Sequence, residues 1–103
     1  MAKKTIIYWR DIPSQVLAQR GRTRQKVHLS ERFQKAIDRA AMRAGRGSSD
    51  AYLEDWRRVS EDVDGDLEAL VDERVAALEQ EFDADTLEKV VKAGGLIDKG
   101  NPE

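Results

Sequence analysis

Eight cations in the first half of this chain stand at spacings that could meet a row of negative groups. Arg20, Arg22, Arg24 and Lys26 occupy every other position, and Arg32, Lys35, Arg39 and Arg43 follow three or four residues apart. Alternate positions share one face of a strand, and positions three or four apart share one face of a helix. Phosphates or carboxylates are the groups such rows recognise. His28, the single histidine, ends the first row. A catalytic triad or a histidine metal cluster needs partners that the chain does not supply, so His28 reads as a surface residue beside the cations. Asp62, Asp64, Asp66 and Glu73 have the carboxylate spacing of a calcium loop. Leu67 stands where that loop turns on glycine, so helix capping by Asp64 or Asp66 is the simpler reading. The acid pairs Glu54/Asp55, Asp72/Glu73 and Glu79/Glu81 fall in solvent-facing helical registers. General acid–base work instead needs a carboxylate desolvated in a pocket. There is no glycine-rich phosphate loop. The absence of cysteine excludes disulfides, thiolate metal sites and cysteine nucleophiles. The chemistry on offer is recognition: no catalytic residue, cofactor or metal ligand is expected, and the chain reads as a non-enzyme.

The elements that must carry these residues fit one domain of 103 residues. Apolar residues make up 40% and charged residues 37%, against a typical charged share of about 25%, so the core is lean. No apolar run approaches the ~18 residues of a membrane span, and MAKKTIIYW lacks the apolar region and cleavage site of a signal peptide. A soluble cytoplasmic protein is expected. The net charge of −2 conceals a split. Residues 1–46 hold 12 Lys/Arg and 3 Asp/Glu, while residues 47–103 hold 6 and 17. Either the basic half faces an acidic partner, or the two halves attract each other within the fold.

Thr5–Arg10, rich in β-branched and aromatic residues, reads as a central strand, ended by turn chemistry at Asp11-Ile12-Pro13-Ser14. Gln15–Gln19 is a second strand and Arg24–Leu29 a third, joined around Gly21-Arg22-Thr23. In the third, Val27 and Leu29 point one way and Lys26 and His28 the other. Ser30 is the expected N-cap of a helix with Phe33, Ala36, Ile37, Ala40, Ala41 and Ala44 on its apolar face and Gly45 as its stop. Ser48 or Ser49 opens a second helix, with Tyr52, Leu53 and Trp56 as its apolar side. Leu67, Leu70, Val71, Val75, Leu78 and Phe82 mark a third helix. Asp85 with Glu88 suggests a capping box for a fourth through Leu87, Val90 and Val91, ended by Gly94-Gly95. The expected fold is α+β: a small N-terminal antiparallel sheet of about three strands (residues 5–29) packed on three to four helices (residues 30–93). The domain is expected over residues 1–95, with a flexible tail over 96–103.

The order strand KVHLS, helix ERFQKAIDRAAMRAG, turn RGSSD and helix AYLEDW resembles a ribbon-helix-helix DNA binder, which reads the major groove with paired strands. An additional strand before the ribbon and an acidic half after it depart from that pattern. A second resemblance is broader. Ile7-Tyr8-Trp9-Arg10-Asp11-Ile12-Pro13, Lys26-Val27, Leu29-Ser30, Arg32-Phe33-Gln34, Ala36-Ile37-Asp38, Ala40-Ala41-Met42-Arg43-Ala44-Gly45 and Ser49-Asp50-Ala51-Tyr52-Leu53 with Trp56 are similar to the small bacterial family labelled virulence factor. That family is related to a domain of conserved virulence factor C proteins. The label brings no reaction and no ligand residues. The resemblance implies association with corrinoid-dependent methyl transfer and one-carbon metabolism, including methionine synthesis. It also implies relatives fused to iron–sulfur scaffold-like domains, a cluster that a cysteine-free chain cannot hold by thiolates.

The resulting expectation is an accessory protein that docks on a larger protein of the methyl-transfer machinery. Its docking residues would be Arg10, Arg22, Arg24, Lys26 and His28, with Tyr8 and Trp9 as aromatic anchors if exposed and as core if not. A DNA-binding regulator using the same basic strand and helix is the alternative.

Overall fold

The computed structural model describes residues 2–45 and 49–97 and has the element order β1 (Ala2–Trp9), β2 (Ile12–Arg20), β3 (Thr23–His28), α1 (Glu31–Arg43), α2 (Ser49–Glu54), β4 (Trp56–Val63), α3 (Leu67–Glu81) and α4 (Ala84–Lys92). The strands form one antiparallel sheet in the order β3-β2-β1-β4. The fold is α+β, with four strands rather than about three.

The turns explain the hairpins. Trp9 faces Ile12 across the sheet, so Arg10 and Asp11 alone join β1 to β2, and Ile12-Pro13 already belongs to the strand. Arg10 takes a left-handed backbone, φ 53°, which disfavours a residue with a Cβ and must be held from outside. Between β2 and β3 Gly21 meets the same demand without penalty at φ 57°.

Strand alternation divides the sheet into two faces. Ala2, Ile6, Val16 and Ala18 are buried beneath the helices, with α3 lying across β1, β2 and β3, and α1 packing on β2 and α4. Phe33, Ala36, Ile37, Ala40 and Ala41 of α1, Leu67, Val71 and Leu78 of α3, and Leu87, Val90 and Val91 of α4 complete the core. Phe33 meets Phe82 edge-on at 6.0 Å. Asp66 caps α3 by accepting from Ala69 N–H, and Asp83 caps α4 by accepting from Thr86 N–H. The α4 cap is therefore Asp83, two residues before the expected Asp85. Ser30 makes no side-chain cap bond for α1.

The largest difference from expectation is β4. The segment expected to continue the second helix through Trp56 ends its helix at Glu54 and pairs with β1 as the edge strand instead. Trp56, Val59 and Val63 sit at helical spacing, but six consecutive exposed residues between Trp56 and Val63 show that no apolar stripe is being buried. What fixes the segment is the sheet-edge backbone of β1, a non-local demand that overrides local pattern.

At the other end, Ile97 packs on the core and its N–H donates to Asp11 Oδ2 at 2.7 Å. The packed chain therefore reaches Ile97, past the expected boundary at residue 95. Ser48 as a helix cap and the tail over 98–103 fall outside the described residues.

Candidate docking surface

The second face of the sheet carries none of the three long helices. Its rows run across the strands as Arg24, Gln19, Lys3 and Asp62; then Lys26, Leu17, Thr5 and Ser60; then His28, Gln15, Ile7 and Arg58. Half-buried Thr5, Ile7, Leu17 and Gln15 form a floor, and exposed Lys3, Arg24, Lys26, His28 and Arg58 stand around it. Together they shape a shallow groove of about 300 Å³ lined by Lys3, Thr5, Ile7, Leu17, Arg24, Lys26 and their neighbours. One end continues past Ile7 and Gln15 to Leu53, Trp56 and Arg58, where the Leu53 side chain is 65% exposed. The Gln15 Oε1 atom is buried with no hydrogen-bond donor among the described residues, an acceptor that a bound group could satisfy.

The basic residues of the sequence separate into two populations. Three arginines of α1 are engaged internally, Arg32 and Arg39 by carboxylates and Arg43 by a backbone carbonyl, while Lys35 on the same helix is exposed. Arg32 bonds Glu79 Oε1 at 2.9 Å, the Glu79 carbonyl at 2.7 Å and the Phe82 carbonyl. Arg39 makes a bidentate pair with Glu88, both contacts at 2.9 Å, and Arg43 donates to the Lys92 carbonyl. The hydrogen bond from Arg39 holds the Glu88 carboxyl below its ordinary range. The opposite charges of the two chain halves meet here, between α1 and the C-terminal helices. By contrast, no side-chain hydrogen bond or ion pair among the described residues engages Lys3, Arg22, Arg24, Lys26, His28 or Arg58. Arg24 and Lys26 are about 7 Å apart along β3, inside a Debye length of ~8 Å at physiological salt, so their fields add.

Two residues expected at the docking surface are structural. Trp9 is 0% exposed. Its indole N–H donates to the Tyr52 carbonyl at 2.9 Å, and its ring stacks on Tyr52 at 5.9 Å. Arg10 turns inward to clamp the strained turn: Nε donates to Asp55 at 3.2 Å and Nη1 to the Gly94 carbonyl at 2.9 Å. Its guanidinium also lies 5.3 Å from the Trp9 ring centroid. Tyr8 is half-buried under Arg57, whose guanidinium sits 4.6 Å over the ring. Of the residues expected there, the structure brings Arg24, Lys26 and His28 onto the open face, with Arg22 in the adjoining turn.

Sequence reasoning missed Lys3, Thr5, Ile7, Leu17 and Arg58 as members of this face. The alternations Lys3-Thr5-Ile7 and Gln15-Leu17-Gln19 carried the signal for four of them; Arg58 was hidden in a segment with helical spacing.

A family model described as Virulence factor matches residues 7–91, most of the chain, including α1 to α3 and all but the last residue of α4. No curated protein and no solved structure matches.

Proposed function

This chain belongs to the virulence factor family, and from that premise and the open sheet face we propose that it is a non-enzymatic docking protein. The face receives an acidic segment, with interleaved apolar residues, from a larger protein. The observation that carries the proposal is the split among the cations: Arg32 and Arg39 are spent on Glu79 and Glu88, while Arg24, Lys26, Lys3 and Arg58 border a mixed floor of Ile7 and Leu17 with Thr5 and Gln15, their charge unspent. Rim charges of this kind steer association, while Ile7 and Leu17 supply apolar contact area and Gln15 an acceptor at the centre.

The same face argues for protein over nucleic acid. Single-stranded nucleic acids are bound on sheets by aromatic side chains that stack the bases, and the floor here is Thr5, Ile7, Leu17 and Gln15. Nor does β3 have the place it holds in a ribbon-helix-helix dimer. It is paired to β2 within its own sheet, and α2 leads into β4.

On the family resemblance, the proposed partner belongs to corrinoid-dependent methyl transfer or one-carbon (methionine) metabolism, inside the cytoplasm. The test is affinity capture from the native host, followed by rebinding of the purified partner. A single protein with an acidic, partly apolar segment that rebinds the purified chain supports the proposal. Retention of random duplex at low salt, lost steeply as salt rises, supports the DNA-binding alternative and counts against it. For the pathway, deletion should create a methionine requirement when growth depends on cobalamin; normal growth there excludes that partner class while leaving the docking surface to be judged by the rebinding.

A further inference from the structure

The outer edge of β4 has an order of charges that matches its own reverse. The strand reads Trp56-Arg57-Arg58-Val59-Ser60-Glu61-Asp62-Val63, cationic in its first half and anionic in its second. It lies at the margin of the sheet, paired on one side only. All six residues from Arg57 to Asp62 are exposed, and Val59 is 45% exposed on the helix-side face.

A long exposed strand edge presents unpaired backbone groups to another chain, and proteins commonly guard such edges with charge of one sign. This edge does not repel its copy. We propose that β4 pairs antiparallel with β4 of a second copy of this chain around a two-fold axis at Ser60. A two-fold axis normal to the sheet keeps the two faces in common, so partners across the junction must share parity. Centring on Ser60 sets Arg58 opposite Asp62 of the second copy, twice, on the open face. It also sets Val59 beside Glu61 on the other face. Arg58 and Asp62 have no side-chain ion pair or hydrogen bond among the described residues, so both charges are available. A centre on Val59 would instead oppose Arg57 and Glu61, which are already engaged by Asp11 and Lys4 at 3.0 and 2.9 Å. Unspent charge selects the Ser60 register. The product is a continuous eight-stranded sheet; the pairing takes up Arg58 from the rim of the open face and leaves Lys3, Arg24 and Lys26, on the strands away from the junction, for the acidic partner.

The chain has no cysteine, which makes the register directly readable. Ser60→Cys should give a covalent dimer under mild oxidation, because residues opposite each other across an antiparallel pair have Cβ atoms about 5 Å apart. Glu61→Cys, which points to the other face and opposes Val59, and Arg22→Cys, on the distant turn, should crosslink far more slowly. Sedimentation velocity on the unmodified chain should show a monomer–dimer equilibrium rising with concentration. Arg58→Asp or Asp62→Arg alone should weaken it roughly tenfold to thirtyfold, by replacing two attractive pairs with two repulsive ones, and the double reversal should restore it. A chain that stays monomeric into the high micromolar range, or Ser60→Cys that crosslinks no faster than the two controls, overturns the proposal.

Discussion

Replacing Glu79 with alanine removes a carboxylate that ties the start of α1 to the end of α3. Glu79 accepts from the Ser30 backbone N–H at 2.7 Å, the Ser30 hydroxyl at 2.9 Å and Arg32 at 2.9 Å. Ser30 makes no cap bond of its own, so among the described residues the entrance of α1 is served by a side chain from another helix. Hydrogen bonds to a charged group contribute about 1.5–3 kcal/mol each. All three contacts are discounted, since Ser30 is exposed and the Arg32 and Glu79 side chains are 36% and 28% exposed, so water screens them. A loss of about 2 kcal/mol follows, and at about 4–8 °C per kcal/mol for a domain of this size the melting temperature should drop by about 10 °C. Acid supplies the sign test. Burial pushes the Glu79 carboxyl up, but the Ser30 N–H, the Ser30 hydroxyl and Arg32 together outweigh it and leave the group below its ordinary 4.5. A carboxyl lowered in the folded state stabilises above its unfolded value, and that contribution disappears as pH falls through the folded value. The gap between wild type and Glu79→Ala, followed by circular dichroism melts, should therefore be full at neutral pH and narrow on the acid side of 4.5. A variant that melts within a degree or two of wild type at neutral pH, or a gap that widens or stays the same in acid, would refute the reasoning.

Two further outcomes bear on Trp9. Trp9→Ala should cost about 3–5 kcal/mol, much of the stability of a small domain; a variant with near-native melting would place Trp9 back among surface residues. Gly95→Ala should cost about 2 kcal/mol or more, because its φ of 93° disfavours any side chain and the new Cβ would lie 2.8 Å from the Trp9 ring. Gly21→Ala, with φ 57° and nothing within 4 Å, should lose only about 1 kcal/mol. Equal losses at the two glycines in chemical denaturation would contradict the packing of Gly95 on the indole.

Local chemistry made much of this fold legible. Gly21 and the alternation of Lys26, Val27 and His28 marked a hairpin, and the apolar stripe from Phe33 to Ala41 marked α1. The regions that resisted were those settled by distant neighbours. Val59 and Val63 follow Trp56 at helical spacing, yet these residues extend because β1 has a free edge to satisfy. Asp83 caps α4 where Asp85 had the sequence pattern for it. The site was legible by half: the row Arg22-Arg24-Lys26 reads directly from alternation, whereas sorting free from spent cations required knowing that Glu79 and Glu88 lie against α1. Trp9 and Arg10 look like an aromatic anchor with a cation beside it, and only the clamp to Asp55, Gly94 and Tyr52 shows them to be a turn held shut.

The sharpest measurement compares two charge reversals of equal size on the captured partner. Arg24→Glu with Lys26→Glu alters the open face, and Arg39→Glu with Arg43→Glu alters cations already bonded to the Glu88 carboxylate and the Lys92 backbone carbonyl. The account predicts that the first pair weakens binding of the purified partner by tenfold or more, while the second leaves it within a factor of about two, both variants being folded by circular dichroism. Equal loss from both pairs would mean that bulk charge governs the association, and no loss from the first would mean that the open sheet face is not where the partner sits.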